Sequence, residues 1–179
     1  SVVLRDENDK IKWMLTKNGT YTVKSYYRHL IENGIKYPHL YMWKVKMPLR
    51  VKVFMWVTLR NCILTEDNLR HRGWSGDDKC PFCGREETVN HLFISCSVAR
   101  LLWNILKCAF NLTDIPDDLD LVMRIWAKTF GKEERGLVLM GTSAICWTIW
   151  KLRNSVVFDN NRINDPYVPV NLLLKNLHD

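Results

Sequence analysis

The chain lacks any uncharged run long enough to cross a bilayer. The longest, residues 136–150, has 15 residues and includes Thr, Ser and two Gly, against the roughly 20 apolar residues a spanning helix needs. No membrane anchor is expected. Acidic residues are missing where basic ones collect: no Asp or Glu lies between Glu32 and Glu66, while Lys36, Lys44, Lys46, Arg50, Lys52 and Arg60 fall in that gap. Residues 1–100 hold 17 Lys and Arg against 10 Asp and Glu, and residues 101–179 hold 9 of each, so the net charge of +7 belongs to the N-terminal part. Such a basic tract suggests a polyanionic partner. Catalytic signatures are also absent. There is no aromatic-x-Asp-Asp motif, no phosphate-cradling Gly-rich loop, no Ser/His/Asp order and no carboxylate set able to hold two metals. Asp77 and Asp78 follow Gly76 in a loop and read as solvated turn residues. A non-enzyme without a small-molecule substrate is expected.

Repeats, low-complexity tracts and long linkers are missing too, and 47% hydrophobic residues suffice for a core. The pattern predicts a mainly α, compact helical domain with a short N-terminal β-hairpin. Residues 11–15 and 20–23 flank Asn18-Gly19, a dipeptide that tolerates the positive φ of a tight hairpin turn. A helix should run from Lys24 to Asn33-Gly34, and a loop through Pro38 leads to Trp43. A second helix opens at Pro48; its residues Val51, Val53, Phe54, Trp56, Val57 and Leu59 are apolar around much of the circumference and predict deep packing. Thr65 reads as the N-cap of a brief helix ended by Gly73. Helices are expected to about Phe110, over about 116–130, over 133–158 and, after Pro166 and Pro169, over 170–177. Residues 1–110, which hold Cys80, Cys83, His91 and Cys96 at metal-ligand spacing, should be a zinc-binding domain and residues 111–179 a helical subdomain packed on it. The opening on Ser1 reads as mid-domain sequence, the expectation being a piece of a longer protein.

Of six cysteines only three cluster, and no secretory signal precedes them, so a reducing, intracellular setting, nucleus or cytoplasm, is expected. Cys80-Pro81-Phe82-Cys83-Gly84 is a CxxC knuckle whose two-residue spacer turns both sulfurs to one point, with Gly84 expected to relieve backbone crowding. His91 and Cys96 complete CxxC-x7-H-x4-C, a CCHC set of the soft and borderline ligands that tetrahedral zinc prefers. Glu86-Glu87-Thr88 should open a helix with His91 one turn inside and Cys96 near a kink or its far end. Four protein ligands leave no position for a reactive water, which makes the site structural. A redox pair or a disulfide fits this loop context less well. Cys62, Cys108 and Cys146 read as buried free thiols.

The order Trp43-Lys44, Pro48, Lys52-Val53-Phe54-Met55-Trp56, Thr65, Leu69, Arg72-Gly73, Cys80, Cys83, His91-Leu92-Phe93, Cys96 and Trp103 resembles the reverse-transcriptase zinc-binding domain found in plant LINE-type retrotransposons and proteins descended from them. The likeness runs over roughly residues 10–105, and Trp147 to Asn154 with Phe158 look like a helix that commonly follows. The resemblance implies a zinc-stabilised accessory to reverse transcription that handles nucleic acid. In that reading Lys44, Lys46, Arg50, Lys52, Arg60, Arg70 and Arg72 contact phosphates, an exposed aromatic such as Tyr41 stacks on a base, and element RNA, rather than DNA, is the ligand. The plain alternative makes these residues ordinary solvating charges on two helices. A different reading is a host-retained or selfish-locus module that docks on a protein partner or on itself through Trp13, Trp74, Trp126 and Trp147.

Overall fold

The computed structural model describes residues 12–32, 40–77, 79–112, 114–161 and 165–178. The chain divides into two compact units, Ser1–Tyr37 and Pro38–Asp179.

In the first unit, the expected hairpin is replaced by turns. Trp13 donates its amide to the Gly19 carbonyl at 2.8 Å, and no strand forms among the described residues 12–20; Ile11 lies outside them. An isolated two-stranded ribbon has too little apolar support to persist. Here the side chains take over the backbone groups. Asn18 Oδ1 accepts from the Thr20 amide at 3.2 Å and its hydroxyl at 2.8 Å, an Asx turn. Gly19 adopts the positive φ of +70° foreseen for it. Trp13 then packs edge-on against Tyr21 and Tyr26 and donates its indole N–H to Ser25 Oγ at 2.9 Å. Helix α1, Val23–Glu32, follows; the foreseen stop at Asn33-Gly34 and the loop through Pro38 lie outside the described residues.

The second unit is helical around one apolar core. A 3-10 turn, Leu40–Lys44, precedes α2, Leu49–Thr58, and α3, Glu66–His71. A π-turn, His91–Ser95, runs into α4, Ser97–Phe110. The helix foreseen over 116–130 is broken at Ile125 into α5, Leu119–Arg124, and a 3-10 turn, Trp126–Thr129. Asp118 caps α5 by accepting from the Leu121 amide at 2.9 Å. Helix α6, Lys132–Asp159, spans 28 residues and packs against α2, α4, the π-turn and α7, Tyr167–His178. Pro169 lies inside the first turn of α7, where a missing N–H costs nothing. Among the described residues no helix is long and apolar enough to cross a membrane.

Helix α2 departs from the deep packing foreseen for it. Val51, Phe54, Met55 and Thr58 are buried, with Phe54 edge-on to Phe93 at 6.0 Å and to Trp147 at 5.1 Å. Leu49, Val53 and Trp56, on the opposite side, are exposed. Among the described residues, neighbours cover one face of the cylinder only. Cys62 and Cys108, expected buried, are also exposed, whereas Cys146 is enclosed in the core, where burial pushes its thiol up.

Candidate metal centre

The knuckle is a short antiparallel ribbon. Lys79 bridges Glu86, the Cys80 amide donates to the Arg85 carbonyl at 2.6 Å, and the Gly84 amide donates to the Cys80 carbonyl at 2.8 Å. Gly84 sits at φ +71°, with open space where a Cβ would stand. Its role is the left-handed turn rather than relief of crowding. Farther on, the Leu92 amide donates to the Thr88 carbonyl at 2.8 Å, and the Cys96 amide reaches back five residues to the His91 carbonyl at 2.8 Å. That wider turn swings Cys96 toward the knuckle while Leu92, Phe93 and Ile94 fill the core.

The ligating atoms of Cys80, Cys83, His91 and Cys96 all lie within 4.8 Å of one another. Cys80 Sγ is 3.7 Å and Cys83 Sγ is 3.9 Å from Cys96 Sγ. Both spacings fit the edge of about 3.8 Å that follows from a tetrahedron with zinc–sulfur bonds of about 2.3 Å. They are far too long for a disulfide, and all the thiols are free. His91 Nε2 lies 3.1 Å from Cys83 Sγ, and its other nitrogen, Nδ1, meets Ser95 Oγ at 3.2 Å. When Nδ1 carries the proton, it donates a hydrogen bond to the hydroxyl and Nε2 is left with a lone pair facing the sulfurs. Cys96 is drawn down to about 5 by the hydrogen bond from the Cys80 thiol, with help from the Val98 amide, and Cys80 is raised as the donor of that bond. Two sulfurs this close cannot both hold a negative charge unaided. A divalent cation between them removes the conflict. The cluster is therefore placed to hold a metal ion, and its donor set suits zinc.

A buried ionic network that the sequence reading missed lies behind the site. Glu87, between knuckle and π-turn, is fully buried; its Oε1 accepts from the Glu66 amide at 3.0 Å and its backbone carbonyl from the Asp67 amide at 3.3 Å. It thereby does the capping foreseen for Thr65, whose hydroxyl turns to Asp67 Oδ1 instead. Arg153 of α6 donates to Glu87 Oε1 at 3.0 Å and to Glu66 Oε1 at 2.6 Å. Among the described residues Glu66 Oε2 is buried with no hydrogen-bond partner, and burial raises the Glu66 carboxyl above its ordinary value, with Arg153 opposing. The available signal was an Arg just past the uncharged run of α6 and a Glu beside the ligands.

The basic residues are distributed along the surface. Lys44, Lys46, Arg50, Arg60, Arg70 and Arg72 are exposed, and Arg60 lies over the Trp56 ring at 4.5 Å. Lys52 is half-buried and donates to the Trp43 carbonyl at 2.9 Å. Tyr41 departs from its foreseen role: half-buried, its hydroxyl donates to the Met123 carbonyl, and burial raises its pKa. Of the four tryptophans proposed for docking, Trp74 is exposed and Trp13, Trp126 and Trp147 are half-buried.

Residues 21–103 match the family model described as zinc-binding in reverse transcriptase. Over 101 residues the chain is 28% identical to an Arabidopsis thaliana protein named as a ribonuclease H protein; the match covers 53% of this chain and 16% of that protein. No solved structure matches the chain.

Proposed function

Taking as premise that residues 21–103 are a reverse-transcriptase zinc-binding domain, we propose that the chain is a non-catalytic module of a retrotransposon-derived protein that binds element RNA as an accessory to reverse transcription. Cys80, Cys83, His91 and Cys96 are its zinc ligands. Bound there, zinc supplies cross-linking of the knuckle to the π-turn; with four protein donors it keeps no position for a substrate. The chain's own residues do the rest. Phe93, pinned between two ligands, packs on Phe54 and fixes the orientation of α2. That helix and the turns on either side of it present Lys44, Lys46, Arg50 and Arg60, with Arg70 on α3 and Arg72 just past it, as phosphate contacts; Lys52, tied to Trp43, serves as a positioning charge.

The observation that carries this reading is the acid-free tract from residue 33 to residue 65, which supplies exposed cations on and beside α2, the helix that the zinc segment buttresses. Fluorescence anisotropy with a labelled unstructured RNA tests it. If about five phosphates of a single strand are neutralised, affinity falls on the order of a hundredfold between 50 and 200 mM salt. A salt-insensitive affinity, or no binding, contradicts the proposal.

A further inference from the structure

Helix α2 carries apolar residues on both sides, and only one side meets the core. Leu49, Val53 and Trp56 follow one another at intervals of four and three, which places them on a single stripe at 3.6 residues per turn, and Arg60 follows in the turn just past the helix. Their exposure is substantial: 68% for Leu49, 44% for Val53 and 38% for Trp56, against 8% or less for Val51, Phe54 and Met55 behind them. The stripe ends in a guanidinium lying over an indole, Arg60 on Trp56 at 4.5 Å. Arg50 and Lys46 flank its start, and both are exposed.

We propose, resting on the RNA reading above, that this stripe is a base-stacking platform and that its ligand is single-stranded rather than duplex RNA. Unpaired bases stack on aromatic rings and on Arg planes, whereas duplex RNA hides its base faces and is read through shape and backbone. A platform of this kind needs a flat π-surface, apolar neighbours that shed water and cations to hold the strand. Trp56, then Leu49 with Val53, and then Arg50 with Arg60 supply these in turn. A protein partner suits the stripe less well, because interface cores are depleted in charge, whereas here cations bracket three apolar residues.

The test uses the zinc-loaded full chain and three probes of equal length: an unstructured RNA, the same strand with abasic positions, and a duplex. The unmodified protein should bind the base-bearing strand more tightly than the abasic one by about 5- to 150-fold, the range of one stacked base, and should bind the duplex more weakly. Trp56→Ala should lose that margin between base-bearing and abasic strands, while Trp56→Phe keeps most of it. Equal affinity of the unmodified protein for base-bearing and abasic strands overturns the platform and leaves the phosphate reading standing. This comparison needs no variant to fold. No salt-dependent binding to any probe overturns both. Light scattering that reveals a dimer abolished by Trp56→Ala, and not competed by RNA, assigns the stripe to a second copy and overturns the proposal.

Discussion

Arg153, near the end of α6, and Glu87, beside the zinc ligands, meet at 3.0 Å with relative exposures of 2% and 0% although 66 residues separate them in sequence. Glu66 joins the same guanidinium nitrogen at 2.6 Å. One cation thus ties α6 to both the zinc segment and the N-terminus of α3.

Removing Arg153 leaves two buried carboxylates facing each other. Such an uncompensated charge costs about 3–5 kcal/mol. Arg153→Met should lower the chemical-denaturation free energy by that order, and a loss below about 1 kcal/mol would show that the network is hydrated or dispensable.

Glu66 gives a pH signature. Its folded pKa lies above the ordinary 4.5 because burial penalises the charge more than Arg153 rewards it. The native state therefore holds the extra proton, and the stability it confers is full at low pH and is lost as pH rises from 4.5 through the folded pKa. Glu66→Gln has no such loss. It should gain on the unmodified protein as pH rises above 4.5 in denaturation midpoints taken with zinc present. A variant that instead falls behind as pH rises would mean the ionised carboxylate is required.

Ser95 orients a ligand without being one. Its hydroxyl at 3.2 Å from His91 Nδ1 holds the ring so that Nε2 faces Cys83. Ser95→Ala should weaken zinc affinity about tenfold in a competition with a chromophoric chelator, the lower end of the usual cost of losing such a partner. Unchanged affinity would place the orienting group elsewhere.

Truncation probes where the zinc unit ends. A chain stopped after residue 110 keeps all four ligands but loses Arg153, Trp147 and Trp150, which pack on Glu87 and Phe54. It should retain zinc only weakly and show a broad, non-cooperative melt. A sharp melt with one zinc per chain would make residues 1–110 autonomous.

The metal set was legible because CxxC-x7-H-x4-C is a local pattern: the knuckle and the π-turn are built from residues at most 16 positions apart. Helix starts at Pro48 and Thr65 were readable for the same reason. What escaped was non-local. The hairpin failed because periodicity cannot tell whether a ribbon finds a sheet to join. The packing of α2 was overestimated because an apolar circumference does not say which neighbours exist to cover it, and the core reaches only Val51, Phe54, Met55 and Thr58. Tyr41 was misread as an open ring because its partner, the Met123 carbonyl, lies 82 residues away. The Arg153 network depends on three segments meeting and has no sequence spacing to betray it.

Zinc as the scaffold that fixes the π-turn, and through Phe93 the face of α2, is best tested by amide hydrogen exchange on the zinc-loaded and chelator-stripped chain. Structural zinc binding is largely folding free energy. The expected result is a collapse of protection across residues 80–105 and in α2 once the metal is removed, reversed when zinc is restored. Protection that stays the same in both states would contradict the account.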